Sequence, residues 1–210
     1  INEDGVGEVL IIDFNSSEQR NSASVYNLAD NGLNMVYFCE LDRTVKSIND
    51  PVVSTLSSGK PAVYIDEIKG IGAITEVLFA EKNTLMNPLL NAESRENVAT
   101  LRSASYSIKD INGDGIVEIP VQESVPSLTD FGKGEKLYLT NWCSYNGETL
   151  TNQELLNATY AGTWLADAKN FFSKRNCVAG QFADGYIKGN PIRQDYLEKA
   201  LSWIADRDGL

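Results

Sequence analysis

The apolar residues of this chain change period once, near residue 150, and that change limits the folds open to it. Before it they fall in short runs or strict alternation, broken by Gly, Asn and Asp, as strands and turns require. After it they recur at helical spacing.

Glu8 to Phe14 holds the run Val9-Leu10-Ile11-Ile12, long enough for a buried strand and too short for a helix. Ser24 to Leu28 and Leu33 to Phe38 are joined through Asp30-Asn31-Gly32 and read as a hairpin, because Asn-Gly supplies the positive φ of a tight turn. Ala62 to Ile68 and Ala73 to Ala80 read as a second hairpin, turning near Gly70 and Gly72. From Leu101 to Asp110 the alternation sets Ala104, Tyr106 and Ile108 against Ser103, Ser105, Ser107 and Lys109, which predicts a half-buried strand. Ile116 to Val121 and Lys136 to Trp142 are the next predicted strands, and Ser57-Ser58-Gly59-Lys60 is a turn without the glycine spacing of a phosphate loop.

Thr151-Asn152-Gln153-Glu154 fits a helix capping box. Trp164, Leu165, Ala168, Phe171 and Phe172 then share one helical face, and Asn190-Pro191 opens a last helix bearing Tyr196, Leu197, Ala200, Leu201 and Ile204. Such aromatic stripes are ordinarily core-facing. The expected fold class is mainly β with a short helical C-terminal part, α+β being the alternative. Residues 1–150 would form a β-repeat domain, with residues 151–210 as a helical segment packed on it.

Eighteen basic residues against 29 acidic ones give a net charge of -11, which opposes nucleic acid and anionic membranes and favours cations. Histidine is absent, which excludes Ser-His-Asp and Cys-His nucleophilic sites and His-ligated zinc. Cys39, Cys143 and Cys177 lie far apart with no C-x-x-C, so at most one bridge can form. Chain position favours Cys143 with Cys177, and three buried thiols are an equal alternative. No apolar stretch approaches the length of a membrane-spanning helix, and any signal or lipid-anchor segment would lie before Ile1.

Residues 110 to 118 read Asp-Ile-Asn-Gly-Asp-Gly-Ile-Val-Glu. Oxygen-bearing side chains stand at alternate positions of a glycine turn and again four residues on. A hard divalent cation takes roughly six to eight oxygen ligands, so Asp110, Asn112 and Asp114 offer side-chain oxygens, Ile116 its carbonyl and Glu118 a carboxylate. The bidentate Glu of an EF-hand would fall at Val121, so the ninth position closes this loop instead. Ile1-Asn2-Glu3-Asp4-Gly5-Val6-Gly7-Glu8-Val9 echoes residues 111 to 119 at Ile, Asn, Asp, Gly and Glu, which suggests a repeated template.

This loop, set between two strands, resembles the calcium loops of integrin-α-like FG-GAP propeller blades. The longer pattern from Val63-Tyr64-Ile65-Asp66 through Ile74-Thr75-Glu76-Val77-Leu78 and Leu101-Arg102 to Leu137-Tyr138-Leu139-Thr140 resembles uncharacterised secreted lipoproteins of Gram-positive bacteria. The resemblance covers residues 1–145 and implies calcium ligation by Asp110, Asn112, Asp114, Ile116 and Glu118, and more weakly by Asn2, Asp4, Val6 and Glu8. The family pattern favours Asp where this chain has Glu118. Residues 150–210 do not fit a blade, and the chain is too short for a full ring of blades of about 40–50 residues.

The expected function is that of a secreted or cell-surface, calcium-binding, non-catalytic protein, with calcium mainly structural and a protein or carbohydrate ligand. The alternative is a calcium-stabilised polysaccharide-acting enzyme or accessory module, with Asp184, Asp195, Asp206 and Asp208 as candidate carboxylates. Trp142, Tyr145 and Trp164 are candidate sugar-stacking platforms.

Overall fold

Glycine turns and alternating strands set the architecture of the computed structural model, which describes residues 7–15, 17–18, 20–29, 32–45, 47–124, 138–153, 162–163 and 166–167. The protein is mainly β. The strands are β1 (Glu8–Asn15), β2 (Arg20–Ala29), β3 (Gly32–Leu41), β4 (Ser47–Ile48), β5 (Val52–Thr55), β6 (Pro61–Lys69), β7 (Gly72–Glu81) and β8 (Thr84–Met86), followed by β9 (Arg102–Ser103), β10 (Ile119–Ser124), β11 (Tyr138–Tyr145) and β12 (Leu150–Asn152). They form three sheets, ordered β1-β2-β3, β4-β6-β7-β8 with β5 on β6 and β9 on β7, and β10-β11-β12. Among the described residues these sheets do not close into a barrel or a propeller. The chain divides into two compact units, Ile1–Val121 with Cys143–Thr151 and Gln122–Trp142 with Asn152–Leu210.

Both predicted hairpins form. β2 and β3 pair from Asn21↔Leu41 to Ala29↔Gly32, with a register shift at Val25/Tyr26. β6 and β7 pair from Val63↔Leu78 to Lys69↔Gly72, and Gly70 opens their two-residue turn at φ 66. A glycine at that first central position is what a short hairpin of this kind requires. Ser57 to Lys60 also turns as predicted, closed by Leu56 N–H donating to Lys60 O at 2.8 Å.

Between two cores the β6–β7 hairpin is buried on both faces. On one face Val63, Ile65 and Leu78 cluster with Ala23, Val25, Cys39, Leu41 and Leu85, and Leu10 and Ile12 pack against them. On the other, Ala62, Tyr64, Val77 and Phe79 cluster with Leu56, Val117, Ile119 and Tyr145. Successive residues of a strand point to opposite faces, so a strand covered twice is buried along its whole length. At about 25 cal/mol per Å² of apolar surface, these two clusters are the main favourable contribution to folding.

Three predictions are corrected. β1 is an edge strand covered on one side, so Val9 and Ile11 remain 44% exposed while Leu10 and Ile12 face the core. The alternation from Leu101 to Asp110 yields only the short β9, because Ser103 Oγ accepts the Ser105 N–H at 3.3 Å and Arg102 Nε donates to Tyr106 O at 2.9 Å. These local bonds turn the chain out of the ladder. The capping-box residues Thr151 and Asn152 lie in β12, and Gln153 N–H donates to Trp142 O at 2.8 Å, as a ladder bond rather than a cap. Of the predicted helical segment, residues 162–163 and 166–167 are helical, and the remainder, including Trp164, Phe171, Asn190 and Pro191, lies outside the described residues.

Candidate metal centre

The 110–118 loop is anchored by a buried polar network reaching back to β6. Asp66 Oδ1 accepts from Arg102 Nη2 at 2.6 Å and from Thr75 Oγ1 at 2.6 Å, and its Oδ2 accepts the Ile108 N–H at 3.0 Å. Arg102 also donates to Thr100 O at 3.3 Å. One carboxylate thus fixes β9 and the segment leading to the loop. Gly72 makes this possible, since a Cβ there would stand 2.7 Å from Arg102 O.

The loop ends are joined by a two-way bridge, Lys109 N–H to Glu118 O at 3.2 Å and Glu118 N–H to Lys109 O at 2.9 Å. Within it Asp110 Oδ1 accepts the Gly113 N–H at 2.6 Å and Oδ2 the Gly115 N–H at 2.8 Å. Asn112 Oδ1 accepts the Asp114 N–H at 3.0 Å, and Asp114 Oδ1 accepts the Ile116 N–H at 2.8 Å. Gly113 and Gly115 adopt φ of 81 and 85, a region that residues with a Cβ enter at a cost. Ser54 of β5 donates its hydroxyl to Gly115 O at 3.1 Å, which holds the tip.

Glu118 behaves differently from the exposed Asp110, Asn112 and Asp114. It is 1% exposed, and its Oε2 turns back across the loop to accept the Ile111 N–H at 2.8 Å. Burial, then the charges of Asp114 and Asp110, push its carboxyl up to about 6. The N–H groups of Gly115, Gly113, Asp114 and Asn112, with Gly115 the strongest, hold Asp110 below the usual carboxylate range.

Among the described residues no three acidic or thiol side chains already converge at metal-ligating distance. The predicted residues share one turn, and their carboxylates are engaged with its backbone N–H groups. The donor chemistry nonetheless fits a hard cation. The set is all oxygen, each carboxylate oxygen has a second lone pair beyond the N–H it accepts, and three negative side chains share one loop.

In comparisons with known proteins, no family model, curated protein or solved structure matches this chain.

The other sequence candidates separate clearly. Trp142 and Tyr145 are each 1% exposed, so neither is a stacking platform, and Trp142 Nε1 donates to Thr163 Oγ1 at 3.2 Å. Their place in β11, whose last seven residues are buried, accounts for this. Asn2, Asp4, Val6, Trp164, Cys177, Asp184, Asp195, Asp206 and Asp208 lie outside the described residues, and Glu8 opens β1. Cys39 is buried, and burial, then Glu76, push its thiol up to about 12.

Sequence reasoning missed the acids buried at the centre of the fold, Asp42, Asp66, Glu67 and Glu76. Their signal was present: Asp66-Glu67 and Glu76 interrupt the apolar runs of two strands that pair with each other.

Proposed function

We propose that this is an extracytoplasmic, calcium-binding and non-catalytic protein whose 110–118 loop holds a structural ion. The supporting observation is Glu118, whose buried carboxylate turns back over a loop already bearing Asp110 and Asp114. A solvated acidic turn has no need of a fourth acidic or amide side chain folded inward from the bridge that closes it. Calcium held by Asp110, Asn112, Asp114, the Ile116 carbonyl and Glu118 would fasten the approach through Lys109 to the strand leaving through Ile119. Its binding free energy would then become folding free energy.

A compartment of high free calcium suits a loop with few protein ligands, since extracellular modules bind it at roughly 10⁻⁴–10⁻³ M. The β-repeat design suggested by the echo of residues 1–9 in residues 111–119 belongs to the same proposal, and its propeller-like part rests on the resemblance to FG-GAP blades alone. So does a protein or carbohydrate ligand. Val9, Ile11, Leu33, Met35 and Phe38, all exposed on the first sheet, support a binding role, because monomers rarely display many large apolar side chains together.

Differential scanning fluorimetry with calcium and with a chelator tests the structural ion. Calcium should raise the melting temperature by several degrees, and Asp114→Ala should abolish the rise. Identical curves in all conditions would remove the reading. Glycan and peptide arrays, scored for capture against product release, test the non-catalytic part.

A further inference from the structure

Two acids interrupt the apolar face that β6 and β7 turn toward the first sheet. The register pairs Ile65 with Glu76 and Glu67 with Ile74, so Glu67 and Glu76 are diagonal neighbours on that face, within reach of each other at their side-chain length. Both are 0% exposed, and Val63, Ile65 and Leu78 beside them belong to the core.

Three of their four carboxylate oxygens, Glu67 Oε1, Glu67 Oε2 and Glu76 Oε2, have no hydrogen-bond donor. The fourth, Glu76 Oε1, accepts the Asp42 N–H at 2.7 Å, while the Asn87 side-chain N–H donates to Glu40 O at 2.9 Å. The charged and titratable groups around the pair are Asp42 after β3, Asp66 on the same strand, Lys69 at the end of β6 and the Cys39 thiol of β3. Lys69 is the cation among them, and its Nζ is engaged by Asp42 Oδ2 at 3.0 Å and Glu96 Oε2 at 3.2 Å. With both carboxylates ionised, a single backbone N–H would serve four oxygens in a largely apolar setting, a state that costs far more than taking up a proton. A carboxyl O–H is the donor that this corner otherwise lacks.

We propose that Glu67 and Glu76 share a proton at neutral pH, as a carboxyl–carboxylate pair that locks the β6–β7 hairpin beneath the first sheet and releases it as the solution becomes alkaline. Burial, then Glu76, Asp42 and Asp66, raise Glu67 far above the ordinary carboxylate value of 4.5, and burial raises Glu76 in the same direction. The sign follows from proton counting. Above 4.5 the unfolded chain has released the proton that the folded pair keeps. The pair's stabilisation is therefore complete below that value and is lost as pH rises through the raised folded values.

Two measurements test this, neither depending on calcium. In the infrared spectrum of the chelated full-length chain near pH 7, a protonated carboxyl stretch should be present and should weaken in Glu67→Gln. Thermal unfolding of the wild type should lose several degrees between about pH 6 and pH 9. Glu67→Gln keeps a donor and cannot ionise, so it should flatten that loss and melt at or above the wild type at the alkaline end. If the variant fails to fold, the wild-type infrared band decides. Absence of the band, equal pH slopes in both proteins, or a chelator-resistant metal ion present in the wild type and missing from Glu67→Gln would each overturn the proposal.

Discussion

Arg102 Nη2 lies 2.6 Å from Asp66 Oδ1, with the Arg102 side chain fully buried and that of Asp66 only 4% exposed. The pair ties β9 to β6 and, through the Ile108 N–H on Asp66 Oδ2, sets the chain on course for the 110–118 loop. Geometry at the candidate metal centre therefore depends on a charge pair well outside it.

Removing one member of such a pair leaves the other charged, buried and uncompensated. Arg102→Ala should cost about 3–5 kcal/mol in urea unfolding. Arg20→Ala, which breaks a 4.0 Å contact between Glu40 and a 62% exposed guanidinium, should cost less than about 1 kcal/mol. Equal effects would show that burial of the Asp66–Arg102 pair does not decide its importance.

Gly72→Ala would drive a methyl group against the Arg102 carbonyl, 2.7 Å from the ideal Cβ position. Backbone cannot yield as a flexible side chain does, so the substitution should cost about 1–3 kcal/mol, as overpacking does. Gly7→Ala meets nothing within 4 Å and is the control, with little change expected. Comparison of the two chemical-denaturation midpoints checks this.

Asp42 governs the acid side of the stability profile. Burial opposes its ionisation, but the Thr44 hydroxyl and N–H, the Asn97 N–H and Lys69 outweigh burial and hold its carboxyl below 3.8. A depressed folded value contributes stability that is present above the unfolded value and lost as pH falls through the folded one. Melting temperature should therefore drop below about pH 4, and Asp42→Asn, destabilised at neutral pH, should show a shallower drop. An unchanged acid slope in the variant would refute this role.

The strands were legible where one local rule acted alone. Asn-Gly and the Gly70–Gly72 turn, each between runs of strand-forming residues, located both hairpins. The stretch from Leu101 to Asp110 failed because its alternation competes with local bonds from Ser103 and Arg102, which a period-two count does not weigh. Thr151 and Asn152 failed for a related reason, since a local capping pattern does not weigh the pairing with β11 that draws them into β12. The loop residues were legible as a set because their spacing is local. What positions them was not, because Asp66 and Arg102 are 36 residues apart and only the fold brings them together.

Calorimetric titration of calcium into the chelated full-length chain tests the central claim most directly. The account predicts saturable binding that loses one site in Asp110→Asn and in Glu118→Gln, while both variants remain folded. No binding by the wild type, or the same number of sites in wild type and both variants, would contradict it.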